Sequence, residues 1–165
     1  MEIPGIKALF NTNLALRKHE KVAVLYCSER GDVRRLLEAG LKEMGRRFIS
    51  VPLGRKNGAW STDAIQALEN PAYPVVVLTS VRSIWQHPAR KRAKYKLGKR
   101  IVSIICEAGG FQNGYTCADP SKMDLLGAPL FELFKPGAHV RVSAPSGTDI
   151  EAVVEKPFLE TGGYH

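Results

Sequence analysis

Three features of this 165-residue chain predict an α/β fold in three layers. Short, continuous apolar runs recur along the chain. Helical periodicities lie between them. Near the end, two alternating segments flank a turn. Together they predict a mostly parallel four-stranded sheet with helices on both faces, followed by a C-terminal antiparallel hairpin.

The elements follow in order. Ile3, Ile6, Phe10 and Leu14 recur at helical spacing, which predicts a helix over Ile3 to Leu16. Lys21 to Cys27 (KVAVLYC) is apolar without polar alternation, as a strand covered on both faces requires. Val33, Leu37, Leu41 and Met44 predict a helix over Asp32 to Met44, with Asp32 in its first turn and Gly45 as its stop. Phe48 to Leu53 is the second strand. Ser61 is placed to cap a helix over Thr62 to Leu68.

The breaker sequence NPAYP precedes a third strand, Val75 to Leu78. The next helix runs from His87 to Leu97, with Pro88 in its first turn and Gly98 at its end. Its stripe of Ala89, Ala93 and Leu97 turns the basic run Arg90, Lys91, Arg92, Lys94, Lys96, Lys99 and Arg100 toward solvent. Ile101 to Ile105 is the fourth strand. Met123, Leu126, Leu130 and Phe134 share one side of a helix over Met123 to Phe134. His139 to Ser143 and Ile150 to Glu155 alternate around APSGTD, as the strands of a hairpin do. Strands joined by helices imply right-handed crossovers and a flavodoxin- or Rossmann-like sheet. The α/β part is expected over residues 1–137, with residues 138–165 a hairpin and linker of the same domain.

The totals narrow the function classes. One domain of this length buries a core without disulfides or a structural metal. No apolar window has the length of a membrane span, and the N-terminus lacks a signal-peptide layout, so the expected location is cytoplasmic. Cys27, Cys106 and Cys117 are widely spaced and odd in number, which argues for free thiols. The net charge of +8 is compatible with polyanion binding. Nucleic acid nevertheless ranks last among the expected partners, because Tyr95 is the sole aromatic in the basic run.

Ligands of open parallel sheets bind beyond the carboxyl ends of the strands. The most polar such end here is the third, where Thr79, Ser80, Ser83, His87 and Arg90 lead into a helix. Hydroxyls at a helix start either contact an anion or satisfy the loop backbone. His87 is either an acid–base group or a helix-start residue with a structural hydrogen bond. No His-Glu-x-x-His, Gly-x-Ser-x-Gly, phosphate-binding loop or glycine-rich dinucleotide loop occurs.

Two stretches resemble a known family. Residues 75 to 104 contain an apolar strand, Thr79-Ser80, Ser83, His87, Ala89-Arg90 and a basic helix ending at Gly98. Residues 140 to 165 contain Val140-x-Val142, Gly147-Thr148-Asp149 and Gly162-Gly163. In this order they resemble the N-terminal domain of the metal-dependent aminopeptidases of the aminopeptidase T (thermophilic leucyl aminopeptidase) type. The segment GGFQNGYTC, Gly109 to Cys117, departs from that pattern.

The resemblance implies a two-metal hydrolase whose carboxylate and histidine ligands belong to a C-terminal domain. That domain would begin where this chain ends. No catalytic residue or metal ligand is therefore carried onto this sequence, and the chain alone is expected to be inactive and to hold no cofactor. The expected partners are a second copy or the missing catalytic domain, with a peptide or small molecule as ligand and no membrane. A free-standing small-molecule binding or regulatory module is the competing expectation, and a basic nucleic-acid-associated protein is the third.

Overall fold

A computed structural model describes residues 3–54, 60–80, 86–113 and 120–155. The chain divides into two compact units, with the boundary between Ala118 and Asp119.

The first unit is the predicted parallel α/β fold. Its strands are β1 (Val22–Tyr26), β2 (Phe48–Pro52), β3 (Val75–Thr79) and β4 (Arg100–Ile104). They pair in the order β2-β1-β3-β4, all parallel. Val22 stands opposite both Phe48 and Val75, and Val75 opposite Arg100, so the four strands begin level with one another.

The helices are α1 (Pro4–Lys7), α2 (Gly31–Glu43), α3 (Thr62–Glu69), α4 (Pro88–Tyr95) and the short α5 (Gly110–Asn113). The right-handed crossover rule decides which face each one covers. The chain steps one way from β1 to β2, then reverses to reach β3 and β4. Helix α2 must therefore lie on the opposite face from α3 and α4. The core agrees. Val22, Val24, Val75, Val77, Val102 and Ile104 pack with α1, α2 and Phe111 of α5. Ala23, Leu25, Val76, Leu78 and Ile101 pack with Ala64, Ala67 and Leu68 of α3 and Ala93 of α4. Every residue of β3 is buried, as a central strand requires, whereas the edge strand β2 is half-buried along most of its length.

Local chemistry sets most boundaries. The Ser61 hydroxyl accepts the Ala64 N–H at 3.1 Å and caps α3. Gly45 (φ +64°) and Gly98 (φ +62°) adopt the left-handed conformation that ends α2 and follows α4. The first helix departs from expectation. It continues from α1 as a wider π-helical stretch over Ala8–Asn13 and stops before Leu16. Ala15 has turned to φ +42°, yet Leu14 and Leu16 remain in the core.

The basic run on α4 and just after it also differs from the expected solvated face. Arg90 is 2% exposed and Lys99 6%. Leu97, by contrast, lies beyond the end of α4 and is exposed, so the buried side of the helix centres on Ala89, Arg90 and Ala93.

The second unit contains α6 (Pro120–Leu133) and an antiparallel hairpin of β5 (His139–Ser143) and β6 (Asp149–Val153). Gly147, at φ +98°, lies in the turn. Arg141 bridges the strands with a two-pronged contact to Asp149, at 2.9 and 2.8 Å. Val142 and Ile150 stand opposite each other and are exposed. Residues Ser83, Cys117, Gly162 and Gly163 lie outside the described residues, as do the side chains of Met123, Leu126 and Leu130. Among the described residues, no helix is long and apolar enough to cross a membrane.

Candidate functional site

The reversal in strand order falls between β1 and β3. In open parallel sheets such a reversal is where ligands bind, beyond the carboxyl ends of the strands. There the Cys27 N–H donates to the Thr79 carbonyl at 3.0 Å. On the other side of β3, the Ser80 N–H donates to the Ile104 carbonyl at 3.1 Å. The polar residues after β3 thus begin on a fixed backbone.

Successive strand residues point to opposite faces, and this alternation separates the candidates. Thr79 continues the Val75, Val77 series toward α1 and α2. It is fully buried, and among the described residues its hydroxyl has no hydrogen-bond partner. Ser80 continues the Val76, Leu78 series toward α3 and α4. It is buried as well. On this second side Arg90 reaches across from α4, and its Nε donates to the Ser103 hydroxyl of β4 at 3.3 Å. Burial lowers the pKa of this guanidinium from its ordinary value.

His87 caps α4. Its Nδ1 accepts the Ala89 N–H at 3.3 Å, which leaves the ring proton on Nε2 in the neutral form. The imidazole stacks on Trp60, with centroids 3.9 Å apart and planes 6° from parallel. Burial pushes its pKa below the ordinary histidine value. Both rings come from loops at the carboxyl end of the sheet, Trp60 after β2 and His87 after β3. Thus Ser80, His87 and Arg90 belong to the α3–α4 side, and Thr79 faces away from them.

Sequence reasoning passed over several neighbours. Arg30 follows β1 and joins the end of β4: its Nη2 donates to the Ile105 carbonyl at 3.2 Å, and its Nη1 lies 3.8 Å from Glu107. The Asp32 carboxylate accepts from the Val33 N–H, and also from Ala108 after β4, which together hold its pKa below the usual range. Arg34 lies over the Tyr26 ring at 4.7 Å and donates to its hydroxyl at 3.2 Å. None of these pairings has a sequence signal, because each joins segments that only the sheet brings together.

Chemically, this end offers a buried guanidinium, a neutral imidazole already engaged as a cap, and hydroxyl groups. Such groups recognise and orient, and none is arranged as a nucleophile with its base. Among the described residues, no three His, Cys, Asp or Glu side chains cluster as metal ligands. No known protein family matches the chain, and no curated protein matches it.

Proposed function

We propose that this chain is the N-terminal, non-catalytic domain of a metal-dependent, leucyl-aminopeptidase-like protein, shaping the substrate cleft or a subunit contact. One observation carries the reading. A parallel sheet with a Thr-Ser end and a His-capped basic helix precedes a hairpin whose second strand is entered through Gly147-Thr148-Asp149, in the order the resemblance requires. The engagement of His87 as a cap and the burial of Arg90 suit a structural and binding role for this domain. Hydrolysis would then be supplied by carboxylate and histidine ligands on another domain, which would activate water at bound divalent metal.

The test begins with mass spectrometry of the endogenous polypeptide. A protein extending well beyond His165 that cleaves leucine amides with added divalent metal, beside an inactive 165-residue chain, supports the proposal. An endogenous protein that ends at His165 and co-purifies with no aminopeptidase chain refutes it.

A second reading, a small-molecule binding module, is favoured by the orphan hydroxyl of Thr79 at the switch point. It predicts a ligand whose thermal stabilisation of the chain is lost in Thr79→Val.

A further inference from the structure

The opposite end of the sheet is basic in a way that no single stretch of sequence displays. The level register places residues Arg47, Lys21, Pro74 and Lys99 in one row before β2, β1, β3 and β4. The row is tied by backbone bonds, the Val22 N–H to the Arg47 carbonyl and the Arg100 N–H to the Pro74 carbonyl, each 3.1 Å. Around it stand Arg17, Lys18, Arg46 and Lys96, from three separate connections.

These cations differ in availability. Lys99 donates to the carbonyls of Asn70 and Tyr73 at 2.6 and 3.0 Å, and is buried. Arg100 donates to the carbonyls of Leu14 and Ala15 and pairs with Glu20. Both are spent on the fold. Lys18, Lys21, Arg46, Arg47 and Lys96 form no ion pair among the described residues, and Arg17 has only a share of Glu20. Opposing them are the exposed Glu43 and three helix C-termini, each worth about half a negative charge. Six cations against about 2.5 negative charges leave the rim at roughly +3.5.

The strip crosses four strands, about 15 Å at roughly 4.8 Å per strand. At the β4 end, Tyr95 is 73% exposed, with the Lys94 ammonium 5.4 Å from its ring centroid. An exposed aromatic beside a row of cations is the arrangement that stacks a base while neighbouring phosphates are neutralised. A membrane surface asks for more apolar area. Apart from Ala15, the exposed residues of the connections before β1 and β2 are polar or glycine, and Tyr95 and Leu97 are confined to one end.

From this placement we infer that the amino-terminal rim of the sheet binds single-stranded nucleic acid. Arg17, Lys18, Lys21, Arg46, Arg47 and Lys96 contact phosphates, and Tyr95 stacks on a base. The inference is independent of the aminopeptidase-like reading, which concerns the other end of the sheet.

The experiment is fluorescence anisotropy of the full chain with a labelled oligo-dT and an oligo-U, from 20 to 200 mM salt. A rim of roughly +3.5 that neutralises about as many phosphates predicts a log–log slope of about −2.5, hence a loss of affinity on the order of 300-fold across that range. The triple variant Arg17→Gln, Lys18→Gln, Arg47→Gln should flatten the slope by about 2. A control with the same loss of charge elsewhere, Arg35→Gln, Lys91→Gln, Lys122→Gln, should leave the slope unchanged. Tyr95→Ala should weaken binding about 5-fold or more at unchanged slope, since stacking contributes about 1–3 kcal/mol per base. Absence of binding at 20 mM salt overturns the inference, as does an equal effect of the two triple variants. Rim-dependent capture by phosphatidylserine vesicles without oligonucleotide binding would also overturn it and assign the rim to membranes.

Discussion

Lys99 supplies the sharpest test of the packing at the amino-terminal end of the sheet. Its ammonium is buried beneath the turn between α3 and β3, where it donates to Asn70 at 2.6 Å and Tyr73 at 3.0 Å. Burial pushes its pKa down to about 8, against 10.5 for a solvated lysine, although Glu69 acts in the other direction. Neutralisation sacrifices neither contact, because a neutral amine still has two N–H groups for two carbonyls. The folded state therefore releases a proton that the unfolded chain keeps.

Between pH 8 and 10.5 the unfolded state binds more protons, so the contribution of this group to stability rises with pH. Below pH 8 both states are protonated and the contribution is flat. The slope inside the window is about 1.4 kcal/mol per pH unit, and the full rise is about 3 kcal/mol. Other lysines and the tyrosines titrate in the same range. The quantity to measure is thus the difference between the natural chain and Lys99→Met, from urea unfolding at pH 7.5, 8.5, 9.5 and 10. That substitution keeps the length of the side chain and removes its charge and both donors. The natural chain should gain on the variant by about 2–3 kcal/mol between pH 7.5 and 10. A difference that stays flat would refute the reasoning.

The other predictions concern single contacts. His87→Ala removes the α4 cap and the Trp60 stack, and should cost about 1–2 kcal/mol in thermal unfolding at pH 7. Because burial lowers the pKa of His87, the unfolded state gains protons first as pH falls. The natural chain should lose stability below about pH 6.5, and His87→Ala should lose less. Thr79→Val replaces an unpartnered buried hydroxyl with a methyl, and should leave chemical denaturation unchanged or slightly stabilised; a loss above about 1 kcal/mol would reveal a partner. A Cβ at Gly40 would collide with Ile6 Cγ2, so Gly40→Ala should destabilise by about 1–3 kcal/mol despite its better helix propensity. Adding Ile6→Ala should make the double variant more stable than the sum of the single changes predicts.

What could be read from the sequence was whatever depends on local chemistry. The run Val22–Tyr26, the Ser61 cap and the glycines 45 and 98 each carry their reason within a few residues, and each stands where it was expected. Arg90 shows why other features were hidden. A basic helix is ordinarily turned to water, and the pattern Ala89, Ala93, Leu97 pointed Arg90 outward. The helix ends at Tyr95, however, so Leu97 falls off the stripe, and Arg90 turns inward to the hydroxyl of Ser103 thirteen residues away. Nothing near Arg90 announces Ser103. The first helix misled for a similar reason: its apolar spacing persists to Leu14, while a π-helical stretch takes over at Ala8.

The same distinction bears on the two ends of the sheet. At the carboxyl end, candidates adjacent in sequence were sorted onto opposite faces, Thr79 to one and Ser80 to the other, because a strand alternates. At the amino end, residues remote in sequence, Arg47, Lys21 and Lys99, were brought into one row, because parallel strands in level register align whatever precedes them. A linear search for charge finds the run on α4 and misses the rim. Yet four of those cations are occupied, Arg90 by Ser103, Arg92 by Glu69, and Lys99 and Arg100 by backbone carbonyls. What sequence proximity overstates as a basic surface, the parallel sheet redistributes, and part of the charge left without an ion pair among the described residues lies across the strand starts.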